Sequence, residues 1–337
     1  MVGTSGARHA FTYAALLAVA VGALTLGLFV GGSTLQPGDV IAALLHPQRD
    51  ATATIVWSLR LPRVAIAACV GAALAVSGAL LQGLLRNPLV DPFLTGVSGG
   101  AGAAIALAVA AGVAAPLVPG LGFAAGLGTA LLVALLARRG AGIDAERLIL
   151  AGISLTAFFS AIVTLVLVRL GRDAGDAVLA WLAGSLASRG WNDLLATLPY
   201  ALVGLLLAAL TAPSLNALRL GAGVARAVGV DIARTQWCVL GAAALLTASA
   251  VALSGIVGFV GLIVPHLARR IVGTDARATL AASALLGAAL VSLADAVARS
   301  IASPTEIPLG VLLAFIGVPA FLYLYLRPAN ATRLWGT

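Results

Sequence analysis

Polar residues in this chain fall in small clusters, and between the clusters run stretches that are apolar almost without a break. Such stretches lie near 11–30, 64–85, 93–112, 121–137 and 148–168, and again near 194–210, 237–253, 257–271, 278–301 and 307–326. Most approach the roughly 20 residues that a helix needs to cross the ~30 Å hydrocarbon core of a bilayer. The alternating pattern of a membrane β-barrel is absent, and a strand facing lipid would leave its backbone unpaired. The pattern therefore predicts an all-α, polytopic membrane protein of about ten transmembrane helices. The eighth stretch is short and carries Pro265, which predicts an incomplete crossing. The stretch at 11–30 follows a short basic lead. It has the length of a full span and no small-x-small cleavage site, so it reads as a membrane helix and not as an export leader.

Composition agrees with that pattern. The 337 residues are 61% hydrophobic and 9% charged, more apolar material than one soluble core can hide. The 39 glycines suit close helix packing in lipid. All twenty basic residues are arginine. Ten crossings put both termini on one side, with thirteen arginines (Arg8, Arg86, Arg138, Arg139, Arg147, Arg219, Arg226, Arg234, Arg269, Arg270, Arg277, Arg327 and Arg333) against seven on the other. The positive-inside rule makes that side cytoplasmic, so the net charge of +8 reports orientation and not nucleic-acid binding. A faint echo, ALAVSG at 73–78 and AVALSG at 250–255, lies half a chain apart. It suggests inverted five-helix repeats, about 11–168 and about 194–326, inside one transmembrane domain spanning 1–337, because an odd number of helices turns the second half upside down.

Several chemistries are excluded by what is missing. Without lysine there is neither a Walker A loop nor a Schiff base, so any ATP hydrolysis belongs to another polypeptide. His9, His46 and His266 are scattered, with His266 expected at a helix end, and Cys69 and Cys238 lie in apolar stretches as core filler. GVSGG at 96–100 fits the G-x-S-x-G pattern, which opens an intramembrane protease reading with Ser98 as nucleophile and His266 as base. The nucleophile elbow needs a preceding strand, and the reading stands or falls on whether the two side chains meet. Asp295 is the only acid inside a predicted span, and Arg299 one turn later can pair with it. The lack of other mid-membrane ionisable groups argues against a proton-coupled carrier, and the lack of a charge ring or filter loop against a passive channel.

The stretch LLRNPLVDPFLTGVSGG, residues 84–100, interrupts this apolar background most sharply. Pro88 and Pro92 cannot continue a helix, and they bias Asn87 and Asp91 towards extended backbone. A stiff connector results, either a plain turn or a constriction at the inner mouth of a pathway.

Three long blocks carry a resemblance: RLPRVAIAACVGAALAVSGALLQGLLRNPLVDPFLTGVSGGAG, then GIVGFVGLIVPHLARRIVGTDARATLAASALLGAALVSLADAVAR, then EIPLGVLLAFIGVPAFLYLYLR. From about residue 36 onward the chain resembles the FecCD family, the membrane subunits of ATP-binding-cassette importers for iron-siderophores, haem and cobalamin. The resemblance implies a type II ABC importer permease fold and a homodimer with the path along its twofold axis. It implies two cytoplasmic ATPase subunits that hold ATP and Mg, and a periplasmic substrate-binding protein. The setting would be the bacterial inner membrane, and the chain itself would be neither an enzyme nor a holder of cofactors.

By the same resemblance, Asn87 and Leu89 of RNPL form a cytoplasmic gate. The loop GIDAERLILAG aligns with a second gate, placing there Asp144 and Ala145 where small hydroxyl residues are expected. Residues 213–237 match the family's coupling helices, with Leu220, Gly221, Ala225, Arg226, Val228, Gly229 and Ile232 against the ATPase. Ala225, Val228 and Ile232 are expected along one face of a short amphipathic helix. Arg60, Arg63 and Arg299 match positions that meet glutamates of the binding protein. Arg169 and Arg172, just past the fifth span, are candidate contacts for an anionic cargo such as haem propionates. That vestibule favours haem or a ferric siderophore over cobalamin, and the runner-up class is a stand-alone secondary transporter.

Overall fold

Acids are scarce in this chain, and most of them start helices. Asp50, Asp144, Asp231 and Asp275 each occupy an N-cap and accept the backbone N–H three residues on, at 2.6–3.0 Å. Asp39 and Asp193 reach back to the N–H of Gln36 and Gly190, and Asp91 accepts from Phe93. Seven of the twelve acids are thus placed at helix starts, where four N–H groups otherwise lack partners.

The computed structural model describes residues 3–31, 35–46, 50–303 and 305–326. Its helices are α1 (Gly3–Phe29), α2 (Pro37–Leu45), α3 (Ala51–Thr54), α4 (Leu61–Leu85), α5 (Val97–Ala110), α6 (Val118–Leu136), α7 (Ala145–Arg169), α8 (Arg172–Leu182), α9 (Trp191–Arg219), α10 (Ala222–Ala227), α11 (Ile232–Ser254), α12 (Val260–Val272), α13 (Ala276–Ile301) and α14 (Leu309–Leu326). A two-stranded hairpin, β1 (Arg138–Arg139) with β2 (Gly142–Ile143), joins α6 to α7. All ten predicted stretches carry a helix. Among the described residues, seven helices are long and apolar enough to cross a membrane, and α5 and α14 are shorter apolar helices. The chain is a multi-pass membrane protein. Arg49, Arg327 and Arg333 of the arginine tally lie outside the described residues.

Three boundaries differ from expectation, and the eighth stretch is short as expected. The second span does not begin near residue 64: a π-helical stretch, Ile55–Arg60, joins α3 to α4 in one helix from 51 to 85, which carries Arg60 and Arg63 inside it. The third does not run unbroken from 93, because Pro92–Thr95 is a 3-10 turn and Gly96 (φ 77°) sits in the left-handed region before α5. The sixth continues to Arg219 through Pro199 and Pro213. The eighth, α12, has 13 residues, about 20 Å, and follows a non-helical link at 255–259, as the short apolar run predicts. The amphipathic α2 and α8 were not expected, since neither is long enough to register as a span.

Helices α4 and α11 form the centre, each with 78% of its apolar window buried, against 17% for α7. Around them the large side chains Leu74, Leu80, Leu81, Leu246 and Leu253 make one core. One close approach is between α4 and α13. A Cβ on Gly71 would lie 2.0 Å from the Gly287 carbonyl oxygen, and one on Gly287 would lie 2.2 Å from that of Gly71. Gly22 on α1 faces open space. Gly71→Ala should therefore destabilise the protein by about 1–3 kcal/mol as the two helices are forced apart. Gly22→Ala should instead be neutral or gain about 0.5–1 kcal/mol of helix propensity. Thermal unfolding of the two variants in one detergent checks the opposite signs.

The two ends of the bundle are distinct. At the near end α4, α9 and α12 finish and α11 and α13 begin; Asn216 of α9 bonds Asp275 and Ala276 there. At the far end α13 and α1 finish, with the carbonyls of Gly27, Leu28 and Phe29 taken by arginines.

Candidate functional site

The near end holds both predicted gate loops and the segment between α9 and α11. Helix α4 stops at Arg86, whose backbone turns left-handed (φ 49°). Gln82, fully buried one turn earlier, donates from Nε2 to the carbonyls of Val90 (3.1 Å) and Gly261 (3.0 Å), while its Oε1 accepts from Arg269 of α12. This pins the loop to α12. Within the loop Asn87 Oδ1 accepts the N–H of Leu89 (2.9 Å), a turn of the kind asparagine favours. The Leu89 side chain stands exposed. Burial pushes the Asp91 carboxyl up to about 6, against the opposing pull of the Phe93 N–H. The stretch is the stiff connector that its prolines predict.

The acid in the second predicted gate loop has a local explanation. Asp144 caps α7 by accepting from Arg147 N–H at 3.0 Å and lies 3.7 Å from Arg139. That backbone bond, helped by the nearby arginines, holds its carboxyl below the usual carboxylate range. The acid in place of a small hydroxyl is thus a helix cap whose charge is met by the helix N-terminus. Ala145 is the first residue of α7, and Ile143 just before it exchanges two hydrogen bonds with the Gln236 amide of α11, at 2.9 and 3.1 Å.

Residues 213–237 do not form one amphipathic helix. Residues 213–219 finish α9; Gly221 (φ 118°) and Gly229 (φ 82°), both in backbone regions open to glycine, cut out the six-residue α10; Ile232 opens α11. Ala225 is fully buried, Ile232 half-buried and Val228 exposed, so these three do not share a face. The exposed apolar surface consists of Leu220, Val224 and Val228, a four-residue spacing visible in the sequence once Val224 is counted. Arg226 folds back, its Nε donating to the Ala222 carbonyl. Each flank of this segment holds one of the two loops predicted as gates: Arg86 donates to the Leu218 carbonyl at the end of α9, and Gln236 of α11 holds Ile143.

At the far end the three arginines matched to docking belong to an internal network. Arg63 donates to both Asp295 oxygens (2.9–3.1 Å) and, through Nη1 and Nη2, to Glu306 at 2.9 and 2.7 Å. Arg299 pairs with Asp295 at 3.0 Å, as the one-turn spacing predicts, and reaches the Gly27 carbonyl. Arg60 donates to the carbonyls of Leu28 and Phe29. Arg60 and Arg299 are each only 4% exposed, because the continuous helix from 51 turns Arg60 onto the end of α1. Arg63 alone communicates with the surface, through the part-exposed Glu306. At the end of α7, Arg169 lines an open cavity of about 440 Å³ with Ala110, Leu165, Val166 and Leu170; Arg172 is exposed at the start of α8 and does not line it.

Ser98 and His266 do not meet. Ser98 is buried, and His266 lies within α12, not at its end, with its Nε2 buried and unpartnered. No group of three or more His, Cys, Asp or Glu converges among the described residues. Gln82, Arg86, Gln236 and Arg269 were missed from sequence because each works through a partner distant in the chain.

The family model described as the FecCD transport family matches residues 16–327. The iron(3+)-hydroxamate import system permease protein FhuB of Bacillus subtilis is 37% identical over 94% of this chain and 84% of its own length. The cobalamin import system permease protein BtuC of Halobacterium salinarum is 41% identical over 80% of this chain and 73% of its own. A solved structure, described as an inward-facing conformation of a metal-chelate type ABC transporter, superposes with a TM-score of 0.83 at 34% identity, covering 92% of this chain and 97% of that one. With that breadth of match, the chain belongs to the FecCD transport family, the permease subunits of ABC importers.

Proposed function

We propose that this chain is one half of a homodimeric type II importer that moves a bulky iron chelate, haem or a ferric siderophore, into the cytoplasm. The near end faces the cytoplasm with both termini, in a bacterial inner membrane. Two ATPase subunits, holding ATP and Mg, seat on Leu220, Val224 and Val228, and a periplasmic binding protein docks at the far end. The observation that carries this reading is the double tether of the α9–α11 segment. Arg86 ties it to the Asn87–Leu89 loop and Gln236 ties it to the Asp144–Ala145 loop, so a push on α10 moves both gate loops at once. α5 and α12, the third spans of the two halves, are both short and follow irregular backbone, which supports inverted repeats around a central path. α7, largely uncovered, presents Ser154, Ser160 and Thr164 among its exposed apolar residues, a mixed face suited to lining that path at the twofold axis.

Of the three docking arginines, only Arg63 offers its guanidinium to a partner, where an acid of the binding protein would take the place of Glu306; Arg60 and Arg299 fix the frame. Cargo class is tested by reconstituting the chain with its ATPase and binding protein. Labelled haem, a ferric siderophore and cobalamin then compete for uptake into vesicles. The proposal expects haem or the siderophore to displace cobalamin; preferential uptake of cobalamin would overturn that choice.

A further inference from the structure

Beyond the pin that Asn216 makes to Asp275 (2.6 Å) and to the Ala276 N–H (2.7 Å), a cavity of about 520 Å³ lies between α9 and α13, floored by Val76 of α4. Its walls are alkyl groups, among them Leu205, Ala208, Ala212, Leu280 and Ala284, and Arg277 lines it as the only charged residue. Arg277 is exposed and makes no hydrogen bond or ion pair among the described residues. A smaller void of about 20 Å³ shares Leu280 with this cavity and continues it towards the near end, lined by Arg219 and Arg269. Along α9 the feature runs from Leu205 to Arg219, about 21 Å at 1.5 Å per residue, close to the ~15 Å depth of one leaflet plus its headgroup layer.

We infer that this groove is a binding site for an anionic glycerophospholipid, one acyl chain lying in the apolar part and the phosphate held by Arg277. Charge complementarity selects that occupant. Three guanidinium groups, Arg219, Arg269 and Arg277, face the near end of the groove. Among the described residues the one carboxylate beside them, Asp275, is engaged by Asn216 and the Ala278 N–H and also acts on Arg219, which leaves three positive charges against one negative. An acyl chain gains little by leaving bulk lipid for an equally apolar groove, so discrimination falls to the headgroup. The inference rests only on the membrane-spanning fold and is independent of cargo and ATPase.

Native mass spectrometry of the full chain, released from micelles holding equal phosphatidylglycerol and phosphatidylcholine, tests it. One arginine beside a headgroup is worth about 1 kcal/mol, or about fivefold in affinity, so phosphatidylglycerol should be retained at least about fivefold over phosphatidylcholine. Arg277→Gln should remove about fivefold of that preference. Ala281→Trp, a change at an exposed alanine lining the cavity, should lower retention of both lipids. Equal retention of the two lipids by the parent chain overturns the inference, as does retention unchanged in both variants.

Discussion

Asp295→Ala should destabilise the protein by about 3–5 kcal/mol, the usual cost of stranding a buried charge. Asp295 is 1% exposed, and its two oxygens receive Arg63 and Arg299 from opposite sides. Among the described residues three arginines face two carboxylates; without Asp295 the part-exposed Glu306 remains, and it hydrogen-bonds Arg63 and acts on Arg299 only through its charge. Arg299 would keep its bond to the Gly27 carbonyl but lose its only counter-charge contact. At about 2 °C per kcal/mol, the apparent unfolding midpoint in detergent should fall by roughly 6–10 °C at a fixed scan rate. Glu306→Gln, at the exposed edge of the same network, should shift it far less, since surface pairs contribute about 0–1 kcal/mol. Equal shifts for the two variants would contradict a buried, structural role for Asp295.

Val228→Asp should abolish ATP-driven uptake while leaving the folded chain intact. Val228 is 66% exposed at the end of α10, so its replacement removes no internal contact of consequence. Against an ATPase groove the same change puts a carboxylate where an apolar anchor is wanted. Losing such an anchor costs about 2 kcal/mol or more, a factor of about 30 in affinity. Gln236→Leu tests the next link. It leaves α10 free to seat but cuts both bonds to Ile143, so ATP hydrolysis should persist while uptake per ATP falls severalfold. Transport by the Val228→Asp complex at the parent rate would remove α10 from the drive train.

Ten apolar stretches are legible in the sequence because membrane span length is a one-dimensional signal, and each of them carries a helix. The irregular backbone is legible in part. Pro88, Pro92 and Pro265 mark the stiff loop and the short α12, whereas the left-handed Phe259 ahead of α12 has no local signal at all. The fate of a charge is the hardest to read. Arg63 meets Asp295 across 232 residues of chain, and Arg60 and Arg299 both turn inward to the end of α1, so the contacts of all three arginines within the chain are hidden from the sequence. The same holds for Gln82. One polar residue in an apolar helix looks incidental, yet it joins α4, the loop at 86–92 and α12 through contacts that no spacing rule anticipates.

The transport function proposed for this chain depends on its being driven from the near end by a separate ATPase. The most direct measurement is uptake of a labelled iron chelate into vesicles carrying this chain, with the binding protein and ATP present, and with the ATPase subunits either included or left out. Uptake only when the ATPase is included, and lost when its nucleotide is made non-hydrolysable, is the predicted result. Accumulation of the chelate by vesicles that lack the ATPase would contradict it.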